Sequence, residues 1–352
     1  MKILVTGNQG YIGTELGKQL KEWRSGLFLC GLDTGIFLGC ITANGRIGDT
    51  CYDVQYNLDV RDIRKEHLEG VDVVVALAAV SNDPIGNNFE IATRDINYEA
   101  NIRLAELCLK NGVKKYILAS SCSIYGDGGN SAKIESDKTN PLTAYARSKI
   151  ECESYLSTYY SNAEMEFIFL RFSTACGKSD RLRLDLVLND FVACAVAHKK
   201  ITVLSDGSPW RPLIDVEEMC KAIAWAIDYE VTANTGKNHL KINIGSNSWN
   251  FTVKQLACLV ADLVGGCKVQ INQDAPADKR SYKVDFSLYK SISGSFYPSK
   301  SIETTINELI QVTGSLNLDN VNIRTSYMVR LVHIKKLIDS NTLSSDLRWL
   351  NY

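Results

Sequence analysis

Apolar residues fall in short unbroken runs, and between the runs they recur every three or four places. Residues 2 to 6 (Lys-Ile-Leu-Val-Thr) predict a buried strand closed by a turn at Gly7 to Gly10. Ile12, Leu16 and Leu20 then recur at helical spacing up to Ser25-Gly26. Leu27 to Leu32, Val71 to Ala78 and Tyr116 to Ala119 predict further buried strands, and Val54 to Leu58 alternates as a strand does. A helical pattern runs from Asn97 to Lys110 and stops at Asn111-Gly112. Another is expected from Thr143 to about Tyr159, followed by the strand Phe167 to Phe172. Strands alternating with helices imply a parallel sheet. Beyond Gly177 the pattern turns irregular, with helices at Val253 to Val264 and Met328 to Ile338 and turn clusters at residues 206–209 and 245–248. The expectation is an α/β chain with a first domain at 1–177, to which segments near 211–245 return. Residues 178–352 are expected to form mainly a smaller, substrate-facing domain and a C-terminal extension.

A chain of 352 residues, 45% hydrophobic and 22% charged, can bury a core in both parts, which excludes disordered and fibrous classes. With 39 basic and 40 acidic residues, the net charge of -1 gives no reason to expect nucleic acid, so any phosphate recognition is local. The eleven cysteines form no CxxC pair and the four histidines lie far apart, which suggests neither a disulfide framework nor a metal site. The longest apolar stretch, Val73 to Val80, is too short to cross a bilayer, so no membrane partner and a cytoplasmic location are expected.

Thr6-Gly7-Asn8-Gln9-Gly10-Tyr11-Ile12-Gly13 places three glycines at i, i+3 and i+6 between a strand and a helix. Absent side chains let the backbone turn tightly and approach a pyrophosphate, and the amides of the helix N-terminus face the anion. This is the context of a dinucleotide-binding turn, with Gly7, Gly10, Tyr11, Ile12 and Gly13 against the cofactor. Asp33 ends the second strand about 20 residues on, where a carboxylate accepts from both ribose hydroxyls and repels a 2'-phosphate. NAD is therefore favoured over NADP. Leu58 and Asp59, at another strand end, are candidates to contact the adenine.

Tyr145 and Lys149 stand at i and i+4 of a predicted helix and so share one face. With 16 tyrosines, such a pair is expected by chance about once in a chain of this size, so its context decides. Ser120-Ser121-Cys122-Ser123-Ile124-Tyr125-Gly126 follows the fifth strand, at the edge where parallel sheets bind ligands. Serine, tyrosine and lysine can converge there.

Taken in order, Thr-Gly-x-x-Gly-x-x-Gly, Leu77-Ala78-Ala79, Ser-Ser-x-x-x-Tyr-Gly and Tyr-x-x-x-Lys resemble the extended short-chain dehydrogenases, specifically the NAD-dependent sugar epimerase/dehydratase family. The resemblance spans most of the chain. It implies a Rossmann-like doubly wound sheet with a smaller C-terminal substrate-binding domain, and a nucleotide-diphosphate sugar as substrate. Tyr145 would be the acid/base on a sugar hydroxyl, Lys149 would lower its pKa and bond the nicotinamide ribose, and Ser121 would polarise the same oxygen. Leu77, Ala78, Ala79 and Asn97 would lie beside the cofactor and Ser123 beside the sugar. Arg211 and Arg280 resemble the family's two late arginines, whose guanidinium forks suit a diphosphate, and Asn189 a diphosphate-contacting asparagine. Arg181 and Arg183 are further candidates of that kind. Many such enzymes pair helices into a homodimer, which is the expected assembly.

Departures from the family pattern bear on the reaction. Sugar 4,6-dehydratases place an Asp-Glu pair where this chain has Cys122 and Ser123, and glucuronate decarboxylases also want a glutamate near Ser123. That leaves 4-epimerisation, or reduction or oxidation of a sugar carbonyl; a non-catalytic dinucleotide-binding protein is a third reading. Thr174 stands where 4-epimerases usually carry an asparagine, and Asp215 where a histidine is common. Cys122 is read as a buried, inert thiol, with deprotonation beside a keto group as the alternative.

Overall fold

The computed structural model describes residues 1–42, 51–275, 278, 280–316, 318 and 321–350. Lys279, beside the late arginine, lies outside them. Seven parallel strands form the central sheet: β1 (Lys2–Thr6), β2 (Phe28–Asp33), β3 (Val54–Asn57), β4 (Val73–Ala76), β5 (Lys115–Ser121), β6 (Glu166–Phe172) and β7 (His239–Ile244). Their spatial order is β7-β6-β5-β4-β1-β2-β3. The order reverses at β1, so the crevice for a ligand opens beyond the C-terminal ends of β1 and β4. The fold is the Rossmann-like α/β class expected from the sequence.

The inner strands β1 and β4 are apolar on both sides because both sheet faces are covered there. Ile3 and Val5 point into one core with Leu16 and Leu20 of helix α1 (Tyr11–Trp23) and with Ile223 and Trp225 of the helix Val216–Asp228. Leu4 points to the other face, against Leu104 and Cys108 of the helix Ala100–Lys110 and Cys152 and Leu156 of the helix Ala144–Tyr159. A third core joins the helices Val187–His198, Val253–Val264 and Ile302–Gly314, which cover the sugar-side segments. Among the described residues no helix is long and apolar enough to cross a membrane.

Two boundaries depart from the hydrophobic pattern for local reasons. The apolar run Val71 to Ala78 yields only Val73–Ala76 as strand, because Leu77 and Ala78 leave the sheet to line a cavity and the Asp72 carboxylate accepts from the Lys2 backbone N–H at 2.9 Å. The helix expected from Asn97 becomes regular only at Ala100, after a wide π-type turn over Asp95–Glu99. Such turns are frequent beside functional sites. Here it directs Asn97 inward, where its amide holds both backbone groups of Val80 (2.8 and 3.0 Å) and the Ser148 hydroxyl.

Candidate active site

Beyond the strand ends lies a cavity of about 930 Å3, near the upper end of the range for small-molecule sites. One end is built by the glycine turn. Gly7 holds φ +74°, and a Cβ there would sit 2.7 Å from the Ala78 nitrogen; a Cβ on Gly13 would come within 2.4 Å of the Asn8 Cα. Both positions require glycine on steric grounds. Gly10 is the N-cap of α1 and brings no side chain to cap it. Asp33 stands beside the turn, accepting from the backbone N–H of Gln9 at 3.1 Å and of Gly35 at 2.8 Å. Tyr11, Ile12, Leu58, Asp59, Leu77, Ala78 and Ala79 complete this wall. A narrow backbone cradle, an uncapped helix start and a carboxylate one strand over fit a dinucleotide.

The opposite wall carries Ser121, Tyr145 and Lys149, all lining the same cavity. Ser121 ends β5, and its hydroxyl accepts from the Ser123 backbone N–H at 3.1 Å, fixing the turn. Thr143 caps the helix that follows and aims its hydroxyl at Asp83 at 2.7 Å, which places Tyr145 in the first turn. The Lys149 ammonium lies 5.9 Å from the centre of the Tyr145 ring. Burial pushes the Tyr145 phenol up to about 12, opposed by its hydrogen bond with Ser121. Burial also draws Lys149 down to about 8. Without a cofactor the phenol therefore keeps its proton at neutral pH. A nearby positive charge favours the phenolate.

Below these residues a buried network sets their position. Glu153 accepts from the Ser120 hydroxyl and from the Arg171 guanidinium at 2.8 Å, and Arg171 also donates to the Tyr125 hydroxyl at 3.1 Å.

Arg211 and Arg280 line the cavity beyond the tyrosine. Both donate to the Asp278 carboxylate at 2.9 Å, and Arg280 also reaches Asp83 at 2.8 Å. Arg183 lines the cavity too and pairs with Asp185 at 2.6 Å. Ser123 faces the cavity with a buried hydroxyl oxygen that has no hydrogen-bond partner among the described residues, and Thr174 is part of the lining.

Two expectations take a different form, Asn97 and Asn189. Asn97 does not reach the cavity, because its amide is used by Val80 and Ser148. Asn189 does not reach it either; fully buried, it accepts from the Gly177 N–H at 3.1 Å and donates to the Arg183 carbonyl at 3.0 Å, so it fixes a loop instead of a diphosphate. Asp215 caps the helix Val216–Asp228 and pairs with Lys300 at 3.2 Å, outside the lining of the cavity. Cys122 donates to the Arg171 carbonyl at 3.0 Å, and burial raises its pKa far above the ordinary thiol range, which makes it the inert thiol. Two groups of lining residues escaped sequence reasoning. Asn82 and Asp83 follow β4 in a polar Ser-Asn-Asp-Pro run that, at a strand's C-terminal end, was a usable signal. Arg330, Ile334 and Leu347 come from the C-terminal extension, for which no local pattern indicates a site.

Comparison with known proteins agrees with this geometry. Residues 3–245 match the NAD dependent epimerase/dehydratase family. The chain is similar to an uncharacterized UDP-glucose epimerase YtcB of Bacillus subtilis, 28% identical over 75% of this chain and 83% of that protein. In fold it is similar to a UDP-glucuronic acid 4-epimerase from Bacillus cereus in complex with UDP-glucuronic acid and NAD, with TM-score 0.76, 21% identity, and 90% and 100% of the two chains covered. It also resembles TunA, an NAD dependent NDP-hexosamine 5,6-dehydratase, with TM-score 0.77, 20% identity, and 91% and 99% covered. At these identities the structural likeness is one of fold, and the proteins concerned carry out different reactions. With the glycine cradle, Asp33 and the serine, tyrosine and lysine on one cavity, the chain belongs to the NAD dependent epimerase/dehydratase family.

Proposed function

We propose that this enzyme inverts C4 of a nucleotide-activated sugar through a transient 4-keto sugar. One observation carries the reading. Ser121, Tyr145 and Lys149 line the same cavity as the cofactor cradle, while the place where water elimination needs an acid pair holds the inward-turned Cys122 and the neutral Ser123. The lining carboxylates on this side are committed to arginines: Asp83 to Arg280, Asp185 to Arg183, Asp190 to Arg324 and Asp278 to Arg211 and Arg280.

Bound NAD supplies reversible acceptance of a hydride from the sugar carbon. Tyr145 takes the proton of the O4 hydroxyl and returns it after inversion. The Lys149 ammonium favours the phenolate, and Ser121, hydrogen-bonded to the tyrosine, steadies the same oxygen. Arg211 and Arg280 hold the substrate diphosphate, exchanging Asp278 for phosphate oxygens. The same reading carries a homodimer through the helices Ala100–Lys110 and Ala144–Tyr159, beside which Tyr159 is 71% exposed and stacks on Tyr155 at 4.2 Å.

The test is to incubate the protein with UDP-, dTDP-, GDP- and CDP-activated hexoses, add no nicotinamide nucleotide, and follow the sugar H4 signals by NMR. Conversion of one of them to its C4 epimer is expected. Conversion that requires added NADH or NADPH would identify a reductase instead.

A further inference from the structure

The last described stretch of the chain leaves the sugar-side core at Met328 and Val329, which pack into it, and residues 330–350 run on to the other end of the cavity. They cross the cofactor end and are fixed there on the dinucleotide-binding elements. The Trp349 indole N–H donates to the Thr34 carbonyl at 2.7 Å, directly after Asp33. Arg61 donates to the carbonyls of Asp346 (2.8 Å) and Leu347 (3.1 Å), and it pairs with Asp59 at 2.6 Å. Arg348 pairs with Asp62 at 2.5 Å, and a ring nitrogen of His333 lies 2.8 Å from the Ile36 carbonyl. Ile334 and Leu347 thereby become cavity wall facing the ends of β2 and β3. Leu347 holds φ +56°, a left-handed conformation that a branched residue adopts only where its surroundings impose it; such strain concentrates at ligand clamps.

Arg330, at the start of the helix Arg330–Asp339, also lines the cavity and is 2% exposed. One guanidinium nitrogen, Nη2, donates to the Arg181 carbonyl at 3.0 Å, and the group lies 4.4 Å over the Phe37 ring beside the Cys40 thiol. Its Nη1 is buried and has no hydrogen-bond partner among the described residues. Among the described residues no carboxylate lies within ion-pair distance of it; Asp185 is taken by Arg183. Arg181, 1% exposed, stands next to it with its own Nη1 unpaired, and its Nε donates to the Gln9 carbonyl inside the glycine turn at 3.2 Å. A cation kept out of water without a direct ion-pair partner is costly, and burial disfavours the charged form of Arg330 more than nearby Asp185, shared with Arg183, favours it. A bound anion resolves that cost. Arg211 and Arg280, which suit the substrate's diphosphate, are held on another set of carboxylates, Asp278 and Asp83, whereas Arg330 is tied through Arg181 to the glycine turn.

We propose that residues 330–350 form a clasp over the cofactor, in which Arg330 binds the dinucleotide's diphosphate and Ile334 and Leu347 cover its adenosine, so that NAD is retained between turnovers. The proposal rests on NAD as the cofactor of this site and not on which sugar reaction occurs.

The experiment measures release of bound NAD from the purified holoenzyme, by exchange against isotopically labelled NAD, and separately the affinity for UDP. Arg330→Gln should release NAD about 10–100-fold faster, the loss expected for a charge-assisted hydrogen bond, with UDP affinity unchanged. Arg330→Lys should fall between it and the parent. Trp349→Phe, which loosens the clasp without touching the diphosphate, should also speed release. The parent's NAD-release rate in both Arg330→Gln and Trp349→Phe would overturn the clasp. A loss of UDP affinity with NAD release unchanged would overturn it too, because Arg330 would then serve the substrate. If NAD release accelerates as expected and no sugar is epimerised, the clasp stands and the proposed reaction falls.

Discussion

Replacing Tyr145 with phenylalanine is expected to lower turnover by about 10²–10⁴-fold, the range for a positioned acid/base group, while leaving bound NAD in place. The two effects separate because the phenol oxygen and the cofactor cradle are different parts of the site. The ring packs at the start of the helix Ala144–Tyr159, where Thr143 caps the first turn, and phenylalanine preserves that packing. The cradle is formed by Gly7, Gly10 and Gly13 and by Asp33, none of which depends on the hydroxyl. Steady-state rates together with NAD content check both halves. Full activity of Tyr145→Phe with NAD bound would remove Tyr145 from the chemistry.

The second large effect concerns stability. Glu153 is 0% exposed and Arg171 3% exposed, and their ion pair at 2.8 Å is completed by Ser120 and Tyr125. Removing one member of such a buried pair leaves the other charge without compensation. Glu153→Ala is therefore expected to cost about 3–5 kcal/mol, read as a lower urea midpoint. Because Ser120 adjoins Ser121 and Tyr125 closes the same turn, activity should fall in step wherever the variant still folds. Glu153→Gln, which keeps an acceptor for Ser120, should lose less. An Ala variant within 1 kcal/mol of the parent would show that this network does not hold the catalytic strand.

The parts of the site that could be read from sequence are those whose chemistry is local. Gly7, Gly10 and Gly13 sit between a strand and a helix, and both that context and the steric demand are short-range. Tyr145 and Lys149 are one helical turn apart, and Ser121 ends the strand that delivers it. These residues meet in one cavity because the sheet order places β5 and β1 on either side of β4. What escaped depends on contacts made across the fold. Asn97 and Asn189 look like polar residues available for a ligand, but a π-type turn directs one inward and Gly177 with Arg183 engages the other. Asp215 stands where a histidine is common in the family, and a helix start and Lys300 claim it. The C-terminal extension carries an ordinary helical pattern. Only its anchoring through Arg61, Arg348 and Trp349, residues distant in sequence from most of their partners, brings Arg330 and Leu347 to the cofactor end.

The central claim is that NAD is resident in this site and is regenerated within each catalytic cycle. Denaturing the purified protein and quantifying the released nucleotide tests it most directly. The account predicts close to one NAD per chain, with no added nucleotide needed for turnover. An empty site, filled only when NADH or NADPH is supplied and consumed with the sugar, would contradict it and point to a reductase or dehydrogenase.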